Sequence, residues 1–247
     1  MSLSGDLLGV DVGFSQVQKS TGIAVLYEEK LTLYRADSTW EDRKRLLPEV
    51  FCPGVIAIDG PLLPAKAAEK AVRVCERFFM RGLFSRRCKP GLSHFGTGFS
   101  LRNAARETGD QFGRHFYGQD YGLGNHLVEA FPNLFLGVMV SEDAYAAIPK
   151  LRRGQKFDWL YDQALRKLEG LCQHVILPDV VYDTMKIERD HELRAAIICL
   201  FTAALANGAC AVVAGDAEGG WFWLPPLALW EEWAIEAAAD NLAIVEG

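Results

Sequence analysis

None of the six cysteines falls in a CxxC pair, and Cys199 and Cys210 sit inside apolar runs. Cysteine in that setting behaves as a small hydrophobe, which argues against a zinc site or a disulfide framework and for a reducing, cytoplasmic compartment. The opening MSLSGDLLGVDVG lacks a basic stretch before its apolar residues, so it does not read as a signal peptide. Internal repeats and low-complexity tracts are also missing, which sets aside solenoids and disordered arrays. Long charge-free runs are scarce. The longest, Ala195 to Gly215, approaches the ~20 apolar residues that a membrane-spanning helix requires. Asn207-Gly208 is turn chemistry and divides it, so the reading is a buried helix, a turn and a buried strand, with no membrane partner.

Half of the 247 residues are hydrophobic, enough for a full core without staples. The net charge of −6 conceals a segregation, because eleven basic and only four acidic residues lie between Lys66 and Arg114. A local positive excess points to a polyanionic partner, here nucleic acid, with Arg73, Arg77, Arg81, Arg86, Arg87 and Lys89 as the phosphate contacts. Arg73, Arg77 and Arg81 recur at four-residue spacing among helix formers, which places them on one face. A solvated helix face would carry the same pattern.

Apolar runs and turn residues predict strands at 7–12, 22–27 and 31–35, the last two joined as a hairpin through Glu28-Glu29-Lys30. A helix over 40–47, stopped by Pro48, precedes a strand at 55–59. Further helices are expected over 65–81, 100–106, 143–148, 157–171, 192–206 and 230–242, with an exposed loop over 84–99. Strands are expected at 126–131, 175–177, 211–214 and 221–224, and Trp221, Trp223, Trp230 and Trp233 read as packing for the last helix. A meander followed by helix-separated strands implies an α/β fold with a mixed sheet and flanking helices. The expected organisation is one domain with a basic helical insertion at about 65–120.

Two aspartates stand out, each ending an apolar strand: Asp11 in LLGVDVGFS and Asp59 in GVIAIDGPLLP. An isolated carboxylate is costly to desolvate, so an acid at the mouth of a buried strand usually has a partner such as a cation. Each could instead cap its own turn. Glu129 in LVEAFP and Asp190 in ERDHELRAA complete a set of four acidic candidates, with His191 beside the last of them as a further catalytic candidate. Mg2+ or Mn2+ suits such a set, since these ions favour oxygen ligands drawn from different strands. A histidine near a helix start is more often a surface or capping residue than a ligand or base.

The pieces GVDVGFS with TGIAV, AIDGPLLP, RVCERFFMRG, EAFP, KLRRGQKFDWL, RDHELRAAIICLFTAALA and GDAEGGWFWLP span nearly the whole chain. Together and in this order they resemble the ribonuclease H-like superfamily, in particular the predicted nuclease family called domain of unknown function 429. That resemblance implies a five-stranded mixed sheet and a carboxylate site of the two-metal type that hydrolyses phosphodiester bonds in nucleic acid. On it, Asp11 is the first-strand ligand, Asp59 the fourth-strand ligand and Glu129 an additional acid. The helix over 192–206 departs from the family pattern, with Arg194-Ala195 where relatives carry Asp-Ala; Asp190, His191 and Glu192 are near enough to substitute. An arginine in the site would instead suit a catalytically inactive nucleic-acid-binding module. The turn DVGFSQVQKSTGIAV also resembles the phosphate loop of actin-like phosphotransferases, where Gly13, Ser15, Lys19, Ser20 and Thr21 would meet phosphate.

Overall fold

The computed structural model describes residues 5–15, 17–63, 72–88, 91–112, 116–117, 126–152, 155–175, 177–208 and 210–245. Strands β1 (Leu7–Asp11), β2 (Thr21–Tyr27) and β3 (Lys30–Ala36) form an antiparallel meander. The β2–β3 reversal turns at Glu28 and Glu29, with φ of 49° and 62°, the paired positive angles whose twist suits a two-residue hairpin. Helix α1 (Trp40–Lys44), capped by Thr39, leads to β4 (Val55–Asp59), which runs parallel to β1. Helices α2 (Val74–Phe79), α3 (Gly82–Arg87) and α4 (Thr97–Asp110) come next. The short β5 (Phe116–Tyr117) and then β6 (His126–Ala130), parallel to β4, follow them.

Five helices separate β6 from the last strands: α5 (Pro132–Gly137), α6 (Glu142–Ala146), α7 (Gln155–His174), α8 (Asp179–Ile187) and α9 (His191–Asn207). The antiparallel pair β7 (Val212–Asp216) and β8 (Gly220–Leu224) precedes α10 (Glu232–Val245). The sheet is mixed, as expected, but larger than five strands. Seven run in the order β3-β2-β1-β4-β6-β8-β7, with β5 paired to β6 off that path. The enlargement arises because the C-terminal hairpin joins the same sheet, Phe222 pairing with Glu129.

Two apolar clusters cover the two faces. On one, Leu7, Ala57 and Val128 pack under α9, whose residues from Arg194 to Ala206 are buried on every side. A helix apolar all round belongs in an interior. It reaches the sheet closely because β1 and β2 present glycines to it. A Cβ on Gly9 would overlap the Ala196 carbonyl, and one on Gly22 the Glu192 carbonyl. On the other face, Val10, Ile23 and Ile58 pack with Ala104 and Ala105 of α4. Trp223, Trp230 and Trp233 are buried in the α9-side cluster, Trp233 stacking near Phe84, so the tryptophans pack the last helix as expected. No described helix is long and apolar enough to cross a membrane.

Several sequence expectations need correction. The exposed loop over 84–99 begins instead as α3, with Phe84 fully buried, and α4 starts at Thr97 and runs past Arg106 to Asp110. Of the helix expected over 65–81, Val74–Phe79 alone is helical within the described 72–81, and 64–71 lie outside the described residues. Val175 and Leu177 form no strand; Val175 closes the end of α7 by bonding the Leu171 carbonyl. α5 and α8 were not foreseen. Each is introduced by a proline, Pro132 at the first turn and Pro178 as the N-cap, where a missing N–H and a fixed φ suit helix starts. The run 211–214 is an edge strand, half-buried rather than buried.

Candidate active site

β1 and β4 are in register, with Asp11 opposite Asp59. Side chains of in-register neighbours leave a sheet on the same face, and alternation from Leu7 and Ala57 makes this the face under α9. Both aspartates are part-buried at the carboxyl ends of parallel strands, where ligands of open α/β sheets bind. Their carboxyls hydrogen-bond to each other. Burial first, then the charge of Asp59, raises the Asp11 carboxyl well above the carboxylate range; Glu192 adds to the rise and Arg35 opposes it. Asp59 is pushed up to about 7, by burial and then by the charge of Glu129. The pair therefore holds a proton near neutrality, Asp11 donating it to Asp59.

The N-terminal turn of α9 borders this pair. Gly22 is the register partner of Asp11, and the Glu192 backbone lies over Gly22, which explains why Glu192 acts on the Asp11 carboxyl. Arg35 of β3 ties this corner together. Its Nη1 donates to Asp190 Oδ2 at 2.6 Å and Glu192 Oε2 at 2.9 Å, and its Nη2 to the Lys19 carbonyl. Arg43 donates to the Gly13 carbonyl at 2.8 Å and to Thr108, fixing the turn that leaves β1. Sequence reasoning missed Arg35 and Arg43, because long-range pairing leaves no local signal.

The four acids expected to form one site do not converge. Glu129 pairs with Ile58, one step out of register with the aspartates, and so leaves the sheet on the opposite face. Its carboxylate receives Arg73 in bidentate fashion, 2.7 Å to each oxygen, and the Leu62 N–H at 3.3 Å. Asp190 is the N-cap of α9, accepting from Glu192 and Leu193 N–H groups, and pairs with Arg35. His191 is turned toward α7, with its Nδ1 3.4 Å from Asp158 and its ring against Phe157, so it is neither ligand nor base for the pair. Arg194 faces α7 as well, bonded to Asp158, Asp162 and the Glu188 carbonyl, and lies outside the aspartate pair.

The basic contacts also redistribute. Arg73 is buried against Glu129 and Glu76, and Arg87 stacks over Tyr145 and Trp233 while pairing with Glu142. Both are structural cations, since Glu129 and Glu142 reach them from other parts of the fold. Arg81 is half-buried, Arg77 and Arg86 are exposed, and Lys89 lies outside the described residues.

Comparison with protein-family models, curated proteins and solved structures finds no match to this chain. Among the described residues, no three histidine, cysteine or acidic side chains converge as a metal cage. Asp11 and Asp59 by themselves fit one small hard cation, since Mg2+ is commonly held by one or two carboxylates with waters completing its shell.

The raised carboxyls carry a pH signature. The unfolded chain loses these protons near pH 4, while folded Asp59 keeps its proton to about 7. The folded state binds more protons in that window, so the pair's contribution to stability is greatest below pH 4, falls as pH rises toward 7, and goes on falling above 7 while Asp11 keeps its proton. Urea unfolding across pH 4.5 to 8 checks this, and Asp59→Asn is expected to flatten the decline.

Proposed function

We propose that this chain is a metal-dependent phosphodiesterase of ribonuclease H-like architecture acting on nucleic acid, with Asp11 and Asp59 holding Mg2+ or Mn2+. One observation carries the reading: two carboxyls face each other at the carboxyl ends of adjacent parallel strands. The strand order β3-β2-β1-β4-β6, in which β2 alone runs antiparallel to the others, supports the architecture. When bound, such an ion supplies Lewis-acid polarisation of the phosphate and a more acidic water. The chain's own residues do the rest. Asp11 and Asp59 bind through oxygens and must shed their shared proton to do so. Glu192, partly exposed and oriented by Arg35, supplies a third acid beside Asp11.

Neither alternative gains support from the geometry. The hydroxyls of Thr21 and Ser20 accept from the Gly13 and Ser15 N–H groups at 3.1 and 3.2 Å, so two backbone donors of this turn are engaged within it instead of facing a nucleotide. Arg194 is turned to Asp158 and Asp162, away from the aspartate pair, which favours the active reading over an inactive module. Titrating the native protein with Mn2+ and assaying single- and double-stranded DNA and RNA oligonucleotides for cleavage tests the proposal. Absence of both metal binding and cleavage overturns it.

The positive surface available to nucleic acid is smaller than the charge count suggested. Arg86 is exposed and has no acidic partner among the described residues. Each neutralised phosphate contributes about −0.9 to the slope of log affinity against log salt on duplex DNA. Arg86→Gln is therefore expected to reduce that slope by about 0.9, whereas the buried Arg73 contributes nothing to it. Fluorescence anisotropy over a salt series measures both.

A further inference from the structure

We infer that the molecule has a second ligand site, remote from the aspartate pair, for an aliphatic monocarboxylate. A cavity of about 420 Å3 lies between α2, the edge strand β7 and α10. That volume is within the ~300–1,000 Å3 typical of small-molecule sites. Its walls are apolar, with Phe78, Val213 and the buried Trp230 inside and Leu227 and Leu242 at the rim, 55 % and 53 % exposed. Among the described residues that line it, Arg77 is the one that is charged. Arg77 is exposed and has no acidic partner among the described residues.

The combination selects a chemical class. An apolar body of matching volume fills the space and removes the exposed leucine side chains from water. A single anionic head answers the guanidinium, whose fork matches a carboxylate. A polyanion would be repelled by nothing here but would leave the cavity empty, and a neutral lipid would leave Arg77 unmatched. Both aspects come from α2, since Phe78 and Arg77 are successive residues of that helix, one turned inward and one out.

Dodecanoate and dodecanol serve as the probes, measured by calorimetry on the full chain. Native protein is expected to bind dodecanoate at one site, saturably and below the concentration at which it forms micelles. Arg77→Gln should weaken dodecanoate about tenfold, the scale of one charge-assisted hydrogen bond, and leave dodecanol unchanged. Ala238→Phe, which fills the cavity from α10, should remove binding of both. Circular dichroism and the melting temperature show that each variant is folded. No saturable binding by native protein, or equal dodecanoate affinity after Arg77→Gln, overturns the assignment. A native dimer that dissociates on Ala238→Phe would overturn it too, by identifying the occupant as a second copy of the chain.

Discussion

Asp11→Asn is expected to lower Mn2+-dependent cleavage by at least about a hundredfold, since even groups that only orient a metal ligand are worth ~10–100-fold. The same substitution should leave the fold intact and raise its stability above pH 7. The reason lies in the pair. Asp11 must keep a proton to donate to Asp59, and that need grows as pH rises past the Asp59 value of about 7. An asparagine amide donates at every pH and carries no charge, so Asp59 can ionise beside it. A hydrogen bond to a charged acceptor contributes ~1.5–3 kcal/mol, which sets the scale of the gain. Activity lost with stability gained is the mark of a functional site held against the preference of the fold. Cleavage kinetics and urea unfolding at pH 8 measure the two effects, and loss of both together would reduce Asp11 to a structural residue.

The aspartate pair was legible because the same feature that betrays it also builds it. Each acid ends an unbroken apolar run, and such runs become the buried central strands whose register then sets the acids side by side. Glu129 carried the same local signal and a different meaning. It too ends a buried strand, but its partner is Arg73, 56 residues away in the chain, and nothing near Glu129 announces that cation. The arginine ladder misled for a related reason. Four-residue spacing predicts a shared helix face, yet Arg73 stands before the helix as its N-cap, so it leaves that face and enters the core.

The meander was readable down to its hairpin, and the buried α9 was separated from a membrane span by the turn at Asn207-Gly208. What the sequence could not convey was where the C-terminal hairpin lands. β8 joins β6 by a single register pair, Phe222 with Glu129, a contact that no local pattern encodes. Placement of α9 relative to the site was not anticipated, although a signal for it was present. The glycines at 9 and 22 fall within strands, which marks a close backbone approach. Only the structure shows that the approaching element is the Glu192 turn.

Arg73→Met is expected to be the most damaging single change outside the site, lowering stability by about 3–5 kcal/mol. The Arg73, Glu76 and Glu129 side chains are only 1–2 % exposed. Arg73 reaches Glu76 Oε1 at 2.8 Å, both oxygens of Glu129 at 2.7 Å and the Gly219 carbonyl at 3.1 Å. It also lies over the Phe222 ring at 5.3 Å. Methionine keeps most of the volume and some of the ring contact but leaves two carboxylates buried without a cation. Their protonation is then the cheapest escape, so the destabilisation should shrink as pH falls toward 5, the sign expected when folded carboxyls bind protons that unfolded ones release. Adding Glu129→Gln and Glu76→Gln to Arg73→Met should recover at least half of the loss, because neutral partners remove the uncompensated charge. Urea unfolding of the single and triple variants at pH 5 and 7.5 provides the comparison. A loss below about 1 kcal/mol at pH 7.5, within the range of exposed ion pairs, would return Arg73 to the surface role that its spacing suggested.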